Sequence, residues 1–246
     1  MKLTTLNSKL KLCSVGTNSK TVKGDSDSIL TMIMYLSPHT LADRGNVCAN
    51  ATDGCRAICL YSAGRGKFNT VQQARIRRTQ LFFDNNVQFK SDLLYDLELF
   101  NTYCIDNNLK PYVRLNGTSD IDWQKIKLKD NKTAMELFNT IQFYDYTKDM
   151  KRRSKYSNYD ITYSYNENMP VTQINKTLNK NNNLAVVFLK TLPSTWNGHE
   201  VINGDESDLR PLDKKGVIVG LIAKGLAKTI KTDFVVDPAK LLLTNV

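Results

Sequence analysis

Short apolar runs alternate with longer amphipathic stretches along most of the chain. Six of these runs have the length of a strand and end in polar or turn-forming residues; they lie at residues 28–36, 112–116, 141–147, 160–165, 184–190 and 217–222. The last two are continuously apolar, which is typical of strands buried in a parallel sheet. The pattern therefore predicts six strands.

Apolar residues at helical spacing mark the segments between these strands. The predicted helices cover residues 69–84, 89–107, 123–138 and 170–180. In the second helix, the apolar stripe consists of Phe89, Leu93, Leu94, Leu97, Phe100 and Cys104. Alternation of strands and helices predicts an α/β fold with a parallel sheet or barrel. We expect one domain over residues 1–246, preceded by a polar, irregular arm at residues 1–28.

Polar residues follow the predicted strands, and parallel α/β folds gather their sites at the carboxyl ends of strands. Gly117, Ser119 and Asp120 follow the second strand, Lys148 the third and Lys190 the fifth. Residues 203–210 add further charged groups, although Asn-Gly-Asp is also typical of a tight turn. The catalytic candidates are Asp120, Lys148, Lys190, Asp205, Asp208 and Arg210.

Three of the five cysteines lie within twelve residues, in a C-x6-C-x3-C pattern: Cys48, Cys55 and Cys59. The last two are four residues apart, which predicts that both sulfurs share one face of a helical turn capped by Thr52 or Asp53. The positive end of the helix dipole favours thiolate at Cys55, and thiolate is the form that binds metal. Three soft thiolates in one loop suit an iron–sulfur cluster or a zinc ion.

The number and setting of the cysteines distinguish between a disulfide, a zinc site and an iron–sulfur cluster. A disulfide is disfavoured because nothing marks the chain as secreted. Structural zinc takes four protein ligands, and His39 would complete a Cys3His set. Three cysteines without a fourth match a [4Fe–4S] cluster with one open iron, held by a loop of residues 46–66. Cys13 and Cys104 are expected to be structural, as small buried hydrophobes.

A formal net charge of +10 favours an anionic partner, with nucleic acid as the first candidate. The first basic group contains Arg65, Lys67, Arg75, Arg77 and Arg78, and the second contains Lys151, Arg152, Arg153 and Lys155. Tyr156 and Tyr159 stand beside the second group, and cations near aromatic rings suit single-stranded nucleic acid. Solvated helix faces are the alternative interpretation.

Two further classes are disfavoured by the sequence. No apolar run approaches the roughly 20 residues of a membrane span, and the first residues lack a signal-peptide core, so we expect a cytoplasmic protein. The two histidines, His39 and His199, belong to neither a nucleophile–base pair nor an H-E-x-x-H pattern. Hydrolase chemistry of those kinds is therefore not expected.

Five segments together resemble a family of phage and plasmid proteins that share this cysteine-rich loop. They are CANATDGCRAICLYSAG, ARIRRTQLFF, YVRLNGTSDIDW, QFYDYTK and NGDESDLRPLDKKGVIVGLIAKG, which cover most of the chain from Cys48 to Gly225. This resemblance implies a phage-encoded protein of the host cell cytoplasm.

More remotely, a cluster-bearing loop after the first strand of a six-stranded barrel is similar to the radical S-adenosylmethionine (SAM) enzymes. This similarity implies a partial (β/α)6 barrel of the TIM type and a [4Fe–4S] cluster on Cys48, Cys55 and Cys59. It also implies SAM chelated to the open iron, beside Gly117, Ser119 and Asp120. The sequence departs from that pattern in two ways. The usual spacing is C-x3-C-x2-C, and the usual Gly-Gly-Glu segment is replaced here by Gly117-Thr-Ser-Asp120.

Three functional hypotheses follow. The first is a radical-SAM-like enzyme acting on nucleic acid or another anionic substrate. The second is a redox-active cluster protein that transfers electrons from a donor protein, or senses redox state, without cleaving SAM. The third is a nucleic-acid-binding module in which zinc staples the cysteine loop.

Overall fold

The computed structural model describes residues 1–17, 19–26 and 28–241, with the backbone alone at residues 19–21, 240 and 241. Within this part of the chain, ten strands form one sheet. The strands are β1 (Cys13–Val15), β2 (Ile29–Met34), β3 (Lys110–Arg114), β4 (Gln142–Thr147), β5 (Tyr159–Ser164), β6 (Leu184–Phe188), β7 (Thr195–Trp196), β8 (His199–Asn203), β9 (Ile218–Ile222) and β10 (Val235–Val236). The α-helices are α1 (Leu3–Lys9), α2 (Ser19–Gly24), α3 (Asp53–Ala57), α4 (Asn69–Asp84), α5 (Asn86–Asp106), α6 (Ala134–Leu137), α7 (Val171–Leu178) and α8 (Pro238–Leu241).

The sheet is mixed, with a parallel centre and antiparallel edges. Its strand order is β1-β2-β3-β4-β5-β6-β9-β8-β7, and β10 pairs with β6 off this path. All neighbouring strands from β2 to β8 run parallel, whereas β1 and β7 are antiparallel to their neighbours. The fold is therefore of the α/β class, and within the described residues the path of strand pairing is open at both ends.

The six predicted strands are confirmed as β2, β3, β4, β5, β6 and β9, and the helices at 69–84, 89–107 and 170–180 as α4, α5 and α7. The predicted helix at 123–138 is wrong. Only a 3-10 turn at Trp123–Lys125 and the four-residue α6 are helical there. Asp130 and Asn131 both adopt positive φ, in a turn bridged by Lys129 and Lys132, and this left-handed backbone cannot continue a helix.

The prediction of an irregular arm at residues 1–28 is also wrong, apart from residues 18 and 27, which lie outside the described residues. The segment forms α1, α2 and the edge strand β1. A fully buried carboxylate holds it: Asp96 of α5 accepts backbone N–H bonds from Lys11, Leu12 and Cys13, each at 2.8 Å. The residues that form each of these hydrogen bonds are more than 80 positions apart in the sequence, so no local sequence pattern predicts them.

The two faces of the sheet differ in polarity. Alternate side chains of β2, β3 and β4, with Leu115 just after β3, pack against α5 in the main core; the strand residues are Met32, Met34, Val113 and Phe143. The other face carries Tyr112, Arg114, Tyr144 and Tyr146, and it is covered by the segment between β8 and β9. This second face is therefore polar as well as buried.

Candidate functional site

The cysteine loop, residues 46–66, lies at the carboxyl ends of the parallel strands. The Cys48 thiol donates to the Thr118 carbonyl after β3 at 3.6 Å, and the Asp120 N–H donates to the Val47 carbonyl at 2.8 Å. Farther along the loop, Ile58 packs with Phe234 beside β10 and with apolar residues that follow β9. The loop thus contacts the ends of strands from both halves of the sheet.

Local structure in the loop differs from the prediction in one respect. Thr52 caps α3 and accepts the Cys55 N–H at 3.3 Å, as predicted. The helix ends at Ala57, however, and Cys59 has an extended backbone, with φ −51° and ψ 134°. The prediction that Cys55 and Cys59 share one helical face is therefore wrong, because the chain turns away before the second sulfur.

Glu167, which follows β5, holds the loop in place, and the sequence reasoning missed it. One carboxylate oxygen accepts from the Thr52 hydroxyl at 2.8 Å and the other from the Gly54 N–H at 2.9 Å. Burial alone would raise the pKa of Glu167, but these hydrogen bonds and its own N–H lower it below its ordinary value. Its position just past a strand end was the available signal.

Replacing Glu167 with glutamine is expected to loosen α3 without unfolding the protein. The amide keeps one acceptor but loses the charge that strengthens both bonds, so we expect local opening to become about tenfold easier, or ~1.4 kcal/mol. Hydrogen–deuterium exchange at Gly54 and Cys55 measures this. Glu98→Gln, at an exposed carboxylate on α5, is the matched control. Equal exchange in both variants would contradict the assigned role.

The three loop thiols influence one another. Burial, together with the neighbouring Cys59, Asp120 and Cys55, raises the pKa of Cys48 to about 12, although a hydrogen bond from the His39 backbone opposes the rise. Burial also raises the pKa of Cys59, which Lys148 and Arg75 partly oppose. All three sulfurs are free. Among the described residues, no group of three or more Cys, His, Asp or Glu side chains stands ready to hold a metal ion.

Two cations stand beside Cys59. The Arg75 guanidinium of α4 lies 4.6 Å from the Tyr35 ring centre and 5.7 Å from that of Tyr61. Lys148, after β4, lies 5.2 Å from the Phe234 ring centre. Such contacts contribute about 0.5–2 kcal/mol each, whereas burying an unpaired ion costs several kcal/mol. The stacking therefore does not offset the burial of Arg75, which is only 7% exposed.

The residues after β3 have structural partners. Asp120 accepts from Arg152 at 2.8 Å and from the Lys148 N–H at 2.9 Å. Burial raises its pKa, and Arg152 opposes that rise. The Ser119 hydroxyl donates to the Asn116 side chain. A Cβ at Gly117 would come within 2.6 Å of the Tyr35 ring, so glycine is required for this close packing.

The remaining catalytic candidates are spread over the inner face and the surface. Asp208 pairs with Arg114 at 3.0 Å and accepts from the Tyr144 hydroxyl, and buried Arg210 pairs with Asp213 at 3.1 Å. Asp205 accepts a hydrogen bond from the Lys224 ammonium at 2.6 Å. Lys190 is exposed at the surface. Burial lowers the pKa of Arg75, and Tyr35 partly opposes this effect. Tyr35 also adds to the rise in the pKa of Arg114, which is due mainly to Asp208, so Tyr35 lies near both the cysteine loop and this inner polar group.

The two basic groups are only partly on the surface. Arg75 and Arg152 are buried, whereas Arg65, Lys67, Arg77, Lys151, Arg153 and Lys155 are exposed. His39, half-buried at positive φ, contacts Thr40 at 3.5 Å, and burial and Arg56 lower its pKa. His199 contacts Asn175 at 2.9 Å.

These features define an α/β protein whose cysteine-rich loop lies over the carboxyl edge of its sheet. A family model described as "Gene product 88" matches residues 3–238, and the chain belongs to that family. Searches of curated proteins and of solved structures gave no match. In the described part of the chain, every helix is too short or too polar to cross a bilayer.

Proposed function

We propose that this protein is an iron–sulfur protein that binds a [4Fe–4S] cluster through Cys48, Cys55 and Cys59. Three neighbouring thiols of one loop carry this proposal: Cys55 lies close enough to raise the pKa of both Cys48 and Cys59, and Cys59 raises that of Cys48. Their number and softness suit such a cluster, and the Arg75 and Lys148 cations offset thiolate charge. In the described residues the three thiols do not form a group that could hold a metal ion, so cluster binding requires the sulfurs to move closer together.

The surrounding residues have separate tasks in this proposal. Glu167 fixes the start of α3, and Ile58 and Phe234, at 5% and 8% exposure, keep water from one side of the loop. When bound, a cluster of this kind supplies one-electron redox chemistry, for which a donor protein provides electrons. Asp120 is engaged by Arg152, so it positions the loop after β3.

A partial barrel is the architecture that we propose for the sheet. Six strand-to-strand steps separate β2 from β8, roughly 29 Å in a flat sheet at about 4.8 Å per step. Lys23, which precedes β2, nevertheless donates to the Asp205 carbonyl after β8 at 3.0 Å. Leu209, between β8 and β9, likewise belongs to the apolar cluster against which Ile29 of β2 packs. Strong curvature of the sheet accounts for both contacts.

Protein purified without oxygen is expected to be brown and to hold about four irons and four sulfides per chain. Replacing Cys48, Cys55 or Cys59 with alanine removes a thiolate ligand, so each variant should lose the colour and the iron. Cys104→Ala is the matched control, since that thiol is buried in the main core. Iron and sulfide assays with visible absorption measure the outcome. Stoichiometric zinc without sulfide would overturn the proposal in favour of a zinc-stapled loop.

The same samples separate the enzyme hypothesis from the redox hypothesis. SAM that perturbs the electron paramagnetic resonance signal of the reduced cluster, with release of 5′-deoxyadenosine, assigns the protein to radical-SAM-like chemistry. An unchanged signal at saturating SAM assigns it to electron transfer or redox sensing.

A further inference from the structure

Arg75 differs from the other buried arginines in the described part of the chain. Buried Arg152 and Arg210, and partly buried Arg114, each pair with an aspartate, at 2.8, 3.1 and 3.0 Å. Arg75, only 7% exposed, has no such pair among the described residues. Its Nε and Nη1 atoms are enclosed without a hydrogen-bond partner in this part of the chain, as are those of Arg210, but Arg210 has the Asp213 carboxylate beside it. A buried guanidinium that lacks both a counter-charge and acceptors is costly, so its retention calls for a partner.

The surroundings of Arg75 consist of aromatic walls and close backbone. Tyr35, just past β2, and Tyr61, in the cysteine loop, flank the guanidinium. A Cβ at Gly66 would lie 2.5 Å from the Tyr61 carbonyl and 3.3 Å from Arg75 Nη1. Stacking on the rings fixes the plane of the guanidinium but leaves its N–H groups without acceptors. Nε and Nη1 of Arg75 therefore keep unused donor capacity beside the cysteine loop.

We propose that Arg75, between Tyr35 and Tyr61, binds a small oxyanion, the carboxylate or phosphate group of a ligand, beside the cysteine loop. Charge-assisted hydrogen bonds from a planar guanidinium suit both groups. This site goes beyond the proposed cluster: Arg75 lies beside Cys59, but the two tyrosine rings and the unpartnered Nε and Nη1 atoms that define the site include no cysteine.

Inorganic phosphate and acetate are the probes, each added to the purified full chain at ionic strength held constant with potassium chloride. We expect one or both to raise the Tm of the wild-type protein in a saturable way, and the comparison distinguishes a phosphate from a carboxylate site. Arg75→Met should abolish the shift, and Arg75→Lys should weaken binding by about tenfold, since a point charge replaces the fork. Arg77→Met, at an exposed arginine of the same helix, should respond as the wild type does.

Other outcomes overturn the proposal. An equal shift in Arg75→Met places the anion elsewhere, and no shift in the wild type leaves the arginine as a structural stack on the tyrosines. Iron content is measured in every sample, so that anion binding can be distinguished from cluster binding. If Arg75→Met loses iron and the wild type shows no anion effect, the cluster itself is the counter-charge of Arg75, and the proposal is overturned. If Arg75→Met does not fold, the comparison of Arg75→Lys with Arg77→Met decides by calorimetric titration with the same probes.

Discussion

Asp208→Asn is expected to lower the free energy of unfolding by about 3–5 kcal/mol, because it leaves Arg114, whose side chain is only 14% exposed, without its counter-charge. Asp208 is 1% exposed, and it accepts from Arg114 at 3.0 Å and from the Tyr144 hydroxyl at 3.4 Å. Burial alone would lower the pKa of Arg114, but Asp208, Tyr146 and Tyr144 raise it above its ordinary value. Urea unfolding followed by circular dichroism measures the loss.

Two controls separate the buried pair from a general effect of charge removal. Glu200→Gln removes a carboxylate from the exposed pair with Lys214, and such pairs contribute less than about 1 kcal/mol. The double variant Arg114→Met/Asp208→Asn removes both charges, so it should recover much of the lost stability. A loss below 1 kcal/mol in Asp208→Asn, or no recovery in the double variant, would show that the pair is not what stabilises the inner face.

Elements with strong local patterns were predictable from the sequence. The apolar stretches that became β6 and β9 are buried on both faces, so each residue in them had to be apolar. The long helix α5 likewise repeats its core residues at helical spacing, from Phe89 to Cys104. The position of the cysteine loop followed from its place after β2, since carboxyl ends of parallel strands meet at one edge.

Features that depend on distant partners were not predictable. Strand β1 depends on Asp96, and α3 on Glu167, more than 80 and more than 110 residues away along the chain. The basic groups show the same limit, because the sequence cannot tell exposed Arg77 from Arg75, which lies two positions earlier on the buried side of α4. A charged residue in a helix therefore does not by itself predict an exposed position, because tertiary contacts can bury it.

The second large effect is expected in the dependence of stability on pH, through Asp145. This carboxyl is 1% exposed; it accepts the Asn116 N–H at 2.7 Å and the Tyr159 hydroxyl at 3.3 Å. Burial raises its pKa from 3.8 to about 7, although Asn116 and the nearby Arg114 and Arg152 oppose the rise. The folded protein therefore keeps the proton over a pH range in which the unfolded chain has lost it.

The direction of the effect follows from proton binding. Between pH 4 and 7 the folded state binds one more proton at this group than the unfolded state, so its stabilising contribution is full below pH 3.8 and is lost as pH rises to about 7. Asp145→Asn cannot ionise, yet it keeps an acceptor for Asn116. From pH 4 to 7.5, the wild type should lose up to about 4 kcal/mol relative to this variant. Guanidinium unfolding of both proteins at several pH values measures the difference, and parallel pH profiles would contradict a carboxyl that stays protonated because it is buried.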